Sequence, residues 1–393
     1  LGIADDRLPP SQMQWHMVCD PDSPMTLVST TALPDTVDNG WTCPFCALLC
    51  EGLEVDRAGA SPGLPPGGCA RAQGALAALQ PLPAAAGPSV DGVATPLDSA
   101  VQAAAERLAQ WQLPLFGGLG TDVAGARALF RLAAASGALC DHADGAALLP
   151  GMRSLQDRGQ FTTTLAELRS RADLVLFVGT DAVAHYPEFF HRAGFSEPGS
   201  PCRNAVFLGV APPAEAAGSQ ADAPSVLHLP GSGDLFADVQ QLAALVDQRR
   251  VPGADAALSA LAQQLRSATY AVVVWEGGQL PAHGALLVEL LNRIVGALNR
   301  KTRAALFSLG GSYGAYGVNQ AFTWLSGLPL RTWLSPAGLQ HEPHLYDTAA
   351  LLARGAVDGL LWITSFAADR LPPPSRVPKI VLGPPTLQAL MNE

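Results

Sequence analysis

Charge is scarce in this chain. Lys, Arg, Asp and Glu make up 15% of its 393 residues, and the basic ones are the smaller share, 24 against 34 acidic, for a net charge of −10. A protein that grips nucleic acid needs a basic face able to neutralise several phosphates, so nucleic acid is excluded as a partner. Long apolar runs are missing too. The longest, Asp173 to Val178 and Tyr270 to Trp275, have strand length, which excludes a helical membrane span. The first 24 residues carry Asp5, Asp6, Asp20 and Asp22 among prolines, with neither a basic n-region nor an apolar h-region, so no signal peptide is read and the cytoplasm is the expected location. Because the chain opens on Leu1 and a plausible start follows at Met25, residues 1–24 read as an upstream extension or a tail with no assigned function. Also missing are a Ser/His/Asp order, an H-E-x-x-H helix, a Walker loop and a complete G-x-G-x-x-G followed by a strand-end acid.

What is present is apolar and repetitive. Hydrophobic residues reach 48%, enough for a large core in one large or two ordinary domains. After Pro/Gly-rich stretches at Ser61 to Gly68 and Pro81 to Pro88, short apolar runs alternate with Ala/Leu-rich helical patterns, the signature of a parallel α/β architecture. Strands are expected at Leu113 to Gly117, Leu174 to Val178, Ala205 to Gly209, Val226 to Leu229, Tyr270 to Trp275, Ala304 to Leu309, Gly359 to Thr364 and Lys379 to Leu382. Apolar spacing of three and four predicts helices over Asp122 to Ser136, Gly233 to Gln248, Ala254 to Ser267, Ala285 to Asn299 and Leu345 to Arg354. The expected organisation is a tail over 1–38, a Cys-rich region and linker over 39–110, a first Rossmann-like lobe over 111–250 and a second over 251–393.

Four of the seven cysteines lie close together, at Cys43, Cys46, Cys50 and Cys69. A C-x2-C-x3-C run closed by a distal fourth thiol is a spacing that wraps a cubane iron–sulfur centre, so these four are the candidate ligands of a 4Fe-4S cluster, filled or empty. Clustered thiols in a reducing compartment are more often ligands than disulfides. Cys19, Cys140 and Cys202 stand apart and read as inert thiols.

A gapless internal repeat lays Leu168 to Pro187 over Ala353 to Pro372, pairing Asp173 with Asp358, Thr180 with Ser365, Ala182 with Ala367 and Pro187 with Pro372. Each copy reads as a helix end, a buried strand and the loop at its carboxyl end, where open α/β sheets bind ligands. Two Gly-rich loops follow strands. Gly117 to Gly120 reads as a structural turn, whereas Gly311 to Gly317, with Tyr313, Tyr316, Asn319 and Gln320 beside it, is the better binding surface. His341 and His344 flank Pro343 in a turn, and His185 follows a strand in the crevice loop. Arg300, Lys301 and Arg303 form one basic group. Arg153, Arg158, Arg169 and Arg171 form another, read either as helix-end cations or as a dock for an acidic tail.

The order of these motifs resembles the B subunit of formylmethanofuran dehydrogenase, among the molybdopterin oxidoreductases. The resemblance rests on Cys43-Pro-Phe-Cys46 through Cys50 and Cys69, the Leu165 to Asp173 run, the loop from Gly179 to Pro187, and Gly314 to Trp324. It implies Rossmann-like parallel-sheet lobes of the molybdopterin oxidoreductase type behind a small N-terminal Cys-rich, iron–sulfur-like region, with crevice candidates Gly179, Asp181, His185, Tyr313 and Asn319. Two departures stand out. In the dehydrogenases a cysteine or selenocysteine shortly before the equivalent of Leu165 ligates molybdenum or tungsten, but here that segment reads Gly145 to Gly151 without a thiol. The family's Asp-Arg pair after Ala205 to Gly209 has become Val210-Ala-Pro-Pro213.

The combination is similar to the B subunit of the methylotroph formyltransferase/hydrolase complex. That likeness implies a catalytically inactive, cytoplasmic scaffold in one-carbon metabolism, without molybdenum or tungsten pterin and without catalytic residues of its own. It further implies contact with a furan-type formyl carrier and assembly with a hydrolase-like A subunit, a C subunit and a formyltransferase D subunit. The alternative it leaves open is an active formylmethanofuran dehydrogenase B subunit carrying a 4Fe-4S cluster.

Overall fold

The computed structural model describes residues 38–55, 63–65, 67–79, 87–195, 197, 199–202, 204–216 and 224–391. The expected N-terminal tail up to residue 37, Cys19 and residues 80–86 lie outside the described residues. The first described elements are small. β1 (Asp38–Trp41) pairs antiparallel with β2 (Leu53–Val55), and the loop between them carries Cys43, Cys46 and Cys50. Cys69 is the N-cap of α1 (Ala70–Ala78). A hairpin of β3 (Ser89–Val90) and β4 (Val93–Ala94) leads into α2 (Leu97–Gln110).

Two larger sheets carry the rest. After β5 (Pro114–Gly120), α3 (Val123–Ser136), β6 (Leu139–Cys140), α4 (Gly145–Arg158) and α5 (Leu165–Arg171), the chain enters β7 (Leu174–Val178). It continues through α6 (Phe189–Arg192), β8 (Asn204–Leu208), β9 (Ser225–Leu229), α7 (Leu235–Val246), α8 (Ala256–Ser267), β10 (Tyr270–Glu276), α9 (Gly284–Leu298) and β11 (Arg303–Leu309). The last stretch holds α10 (Ala315–Ser326), β12 (Thr332–Ser335), β13 (Gly338–His341), α11 (Thr348–Ala353), β14 (Gly359–Thr364), β15 (Lys379–Leu382) and α12 (Thr386–Met391). One sheet is all parallel in the order β11-β10-β7-β8-β9. The other runs β13-β12-β6-β5-β14-β15, with β12 antiparallel to both of its neighbours.

The predicted α/β class therefore holds, but the division into lobes does not. The five-stranded sheet draws β7, β8 and β9 from before residue 250 and β10 and β11 from after it. The six-stranded sheet joins β5 and β6 to strands beyond residue 331. Parallel neighbours are chosen by how crossover helices pack, and no local pattern encodes that choice. The Gly-rich segment after β11 also differs, because its second half is the start of α10.

Side-chain alternation explains why the parallel sheet is covered on both faces. Leu174, Leu176 and Val178 point into a core built with α7, α8 and α9. Val175 and Phe177 point the other way, into a core shared with Cys43, Phe45, Cys46, Leu48 and Cys50. There Phe177 stacks on Phe207 with ring centroids 4.4 Å apart, so the Cys-rich region sits on an aromatic floor. Asp122, Asp234, Asp255 and Asp347 cap α3, α7, α8 and α11 through their carboxylates. Thr164 caps α5 by accepting the Glu167 amide.

The internal repeat has a physical counterpart. Asp173 accepts the Thr269 and Tyr270 amides at 2.8 and 2.9 Å, fixing the start of β10 beside β7. Asp358 accepts the Gln112 and Leu113 amides at 2.6 and 3.0 Å, fixing the approach to β5 beside β14. Each carboxylate satisfies two consecutive donors that the neighbouring strand cannot yet reach.

Candidate functional site

The loops at the carboxyl ends of β5, β6, β7, β10, β11 and β14 meet around Tyr313. This residue has φ +56, a left-handed conformation unusual outside glycine, between Gly311 at +75 and Gly314 at +82. A side chain on Gly314 would press on the Thr121 carbonyl and the Phe366 ring, so only glycine lets these loops approach. The guanidinium groups of Arg71 and Arg370 lie 5.4 and 5.2 Å from the centre of the Tyr313 ring. Arg370 also pairs with Asp144 at 2.9 Å. The Tyr313 carbonyl faces His142 Nε2 at 3.3 Å, while His142 Nδ1 accepts the Asp144 amide at 2.9 Å. That second bond fixes the tautomer, with the proton on Nε2. Burial pushes His142 down to about 4, so the ring is neutral.

On the other side of Tyr313, Arg71 donates from Nη1 to the His185 carbonyl at 2.6 Å and from Nη2 to Ser312 Oγ at 3.0 Å. His185 Nδ1 lies 2.9 Å from Glu276 Oε1, and Thr180 Oγ1 donates to Glu276 Oε2 at 3.0 Å. Burial raises the Glu276 pKa, while His185 and Thr180 act in the opposite direction. Beneath the six-stranded sheet's strand ends, a cavity of about 230 Å³ is lined by Asp141, His142, Arg331, Thr348, Trp362 and Arg370. Arg331 there bridges Asp141 and Asp347 and donates to the Pro343 carbonyl. Burial raises the Asp141 pKa, against the pull of Arg331 and Thr348.

Of the residues singled out from sequence, His185 and Tyr313 stand in this crevice. Gly179, at φ +64, turns the chain after β7. Asp181 accepts the Val183 and Ala184 amides of its own loop. Asn319 accepts the Leu330 amide and ties α10 to the segment before β12. His341 faces the Arg331 carbonyl through Nδ1 at 3.1 Å, and His344 is exposed. Arg71, Glu276, His142, Ser312 and Arg370 were not picked out from sequence. Only Glu276 carried a signal, as an acid ending the otherwise apolar run Tyr270 to Trp275.

The four clustered cysteines converge in one region. The Cys43 amide donates to the Cys50 carbonyl at 2.8 Å, closing the loop, and Leu49, at φ +46, makes the turn. Burial pushes Cys43 up to about 12 and Cys50 up to about 11, and both lie in the field of Cys46 and Cys69. Burial raises Cys46 as well, with Arg71 pulling the other way. Among the described residues, no group of three or more His, Cys, Asp or Glu stands as the ligands of a metal ion. A single zinc requires all its sulfurs at about 2.3 Å from one point.

The segment without a thiol, Gly145 to Gly151, is the first turns of α4, set directly against the ends of β10 and β11. A side chain on Gly277 would run into the Ala147 carbonyl, and one on Gly311 would meet Leu148 Cδ2 at 2.8 Å. This segment offers no sulfur ligand, and its Ala147 carbonyl and Leu148 side chain pack closely on Gly277 and Gly311. Cys140, the nearest thiol in sequence, is buried in an apolar core with Phe116, Leu129 and Phe322.

Two mostly parallel sheets whose strand ends face one crevice, with a Cys-rich region packed on one sheet, define a mixed α/β protein. The chain matches no family model. It is 28% identical over 290 residues to the B subunit of the formyltransferase/hydrolase complex Fhc of Methylorubrum extorquens, covering 72% of this chain and 75% of the relative. It is 24% identical over 378 residues to the B subunit of tungsten-containing formylmethanofuran dehydrogenase 2 of Methanocaldococcus jannaschii, covering 88% of this chain and 85% of that one. A chain in the crystal structure of the Methylorubrum extorquens formyltransferase/hydrolase complex with methylofuran superposes with a TM-score of 0.64 at 27% identity, over 75% of this chain and 81% of that chain. The chain is a relative of the B subunits of formyltransferase/hydrolase complexes and, at lower identity, of formylmethanofuran dehydrogenases.

Proposed function

We propose that this chain is a non-catalytic B subunit of a formyltransferase/hydrolase complex in tetrahydromethanopterin-dependent one-carbon metabolism. Its role would be to hold an A-type hydrolase, a C subunit and a D-type formyltransferase together in the cytoplasm and to contact a furan-type formyl carrier. The observation that carries this reading is α4: where the dehydrogenases place a metal-binding thiol, this chain presents Ala147 and Leu148, pressed against Gly277 and Gly311. Support for the partners comes from the relative's four-subunit complex, and for the carrier from the methylofuran bound to that complex. The crevice groups offered to a carrier are His185, Tyr313, Arg71 and Arg370.

The test is purification of the tagged chain from its native host. We expect hydrolase-like and C-type subunits to co-purify, formyl-carrier hydrolysis to track the complex, and no viologen-coupled oxidation of the carrier. Turnover that follows bound tungsten or molybdenum would replace this reading with an active dehydrogenase subunit, the alternative supported by the likeness to the tungsten-containing relatives. We further propose that Cys43, Cys46, Cys50 and Cys69 hold a 4Fe-4S cluster. What supports it is the donor set and its spacing, a C-x2-C-x3-C run with a distal fourth cysteine. Such a cluster would supply one-electron chemistry or a structural staple. About four irons and four sulfides after anaerobic reconstitution would support it.

A further inference from the structure

We propose that the outer faces of α3 and α10 together dock a partner subunit through an apolar patch rimmed by that subunit's carboxylates, an inference that rests on the proposed assembly. The two helices lie side by side on the six-stranded sheet. Leu129 and Ala133 of α3 and Val318 and Phe322 of α10 are buried in one core with Phe116 of that sheet. The Phe130 and Phe322 rings meet edge to face with centroids 5.4 Å apart. Helical periodicity then turns the opposite stripe of each helix away from the same sheet face.

That outward surface is apolar and carries charge of one sign. Tyr316 and Trp324, eight residues apart and so on one side of α10, are 50% and 77% exposed, and Val123 and Leu132 are exposed on α3. Arg127 and Arg131, one turn apart on α3, are exposed and form no ion pair among the described residues. Arg131 Nε reaches only the Arg127 carbonyl, at 3.4 Å. No Asp or Glu occurs from Val123 to Cys140 or from Ala304 to Leu330. Asp122, at the start of α3, is taken up in accepting the Gly125 amide at 2.7 Å. On a chain of net charge −10, the two helices thus present cations alone.

Those charges select the occupant. Tryptophan and arginine are the side chains that most often carry binding energy at protein interfaces, and two unpaired cations beside an exposed tryptophan call for carboxylates on the partner. A second copy docked through the same face would set like charges against each other. A helix that lies on a lipid surface is rich in Lys and Arg along its polar face, and α10 has neither.

The experiment uses the full chain co-expressed with A-, C- and D-type subunits, as wild type, Trp324→Ala, Arg127→Glu combined with Arg131→Glu, and Leu286→Ala, which removes a side chain exposed on α9. Subunit retention is read by size-exclusion chromatography over a dilution series. We expect Trp324→Ala and the double charge reversal to weaken binding of the same subunit by roughly thirtyfold or more, and Leu286→Ala to keep it. With Arg127→Lys and Arg131→Lys, a zero-length carbodiimide reagent should join positions 127 and 131 to Asp or Glu side chains of that subunit. Variants that retain every subunit at wild-type affinity would overturn this face as the dock while leaving the assembly in place. A wild type that binds none of the three subunits would overturn the assembly and this inference with it. Self-association, or sedimentation with phosphatidylglycerol vesicles, that Trp324→Ala abolishes while subunit binding stays would give the face to a second copy or to lipid and overturn the inference. Should Trp324→Ala fail to fold, the charge reversal on two exposed side chains decides alone.

Discussion

At the scale of single residues, the chemistry of this protein lies in groups whose partners come from far along the chain. His142 is the clearest case, a neutral ring with both nitrogens used internally. Its pKa in the fold, about 4, is below its ordinary value of 6.5, so the unfolded chain binds the extra proton in the window between them. Stability is then fully present above about pH 6.5 and declines as the pH falls toward 4, by roughly 3 kcal/mol if this group acts alone. Urea melts between pH 7 and pH 4.5 measure this. His142→Gln, which keeps a donor and an acceptor, should flatten the acid slope, and an unchanged slope would remove His142 as its cause. None of this was legible from sequence, where no pattern marked His142. Its ring faces the Tyr313 carbonyl of the loop after β11, 171 residues away in the chain.

At the scale of elements, two devices repeat. The paired acids Asp173 and Asp358 were visible as an internal repeat, and the structure shows why both positions are acidic. Each accepts two amides at the start of a neighbouring strand. Asp173→Ala and Asp358→Ala should each destabilise by about 1–3 kcal/mol, with Asp358 toward the lower end because it is exposed. The two losses should add, since the residues serve different sheets. A double mutant in chemical denaturation checks this, and strong non-additivity would mean that the sheets unfold as one coupled unit. The second device is the close seat of α4. Gly277→Ala places a methyl group against the Ala147 carbonyl, and with no room to yield it should cost about 1–3 kcal/mol and lower the melting temperature. A neutral result would show that α4 can shift away from the strand ends.

At the scale of the whole molecule, the expectation is obligate assembly. Trp324 is 77% exposed on α10, and Tyr316 and Leu325 of the same helix are also exposed, in a stretch from Ala304 to Leu330 without a charged residue. Obligate interfaces are more apolar than ordinary surface. Expressed alone, the chain should aggregate, and co-expression with A- and C-type partners should give a soluble complex by size-exclusion chromatography. A well-behaved monomer whose deletion leaves formyl-carrier hydrolysis intact in the host would count against the assembly role.

The amino-acid sequence by itself determined the α/β class, the positions of most buried strands and the cysteine spacing. These depend on local periodicity and spacing, as in the unbroken apolar run Leu174 to Val178. Only the tertiary structure decided that β5 and β6 join strands from the far end of the chain, that the boundary expected at residue 250 runs through one sheet, and that Arg71, His142, Glu276 and Arg370 gather around Tyr313. Parallel pairing and crevice formation are settled by how crossover helices bury their apolar faces, which is a property of the whole packed chain and of no single segment.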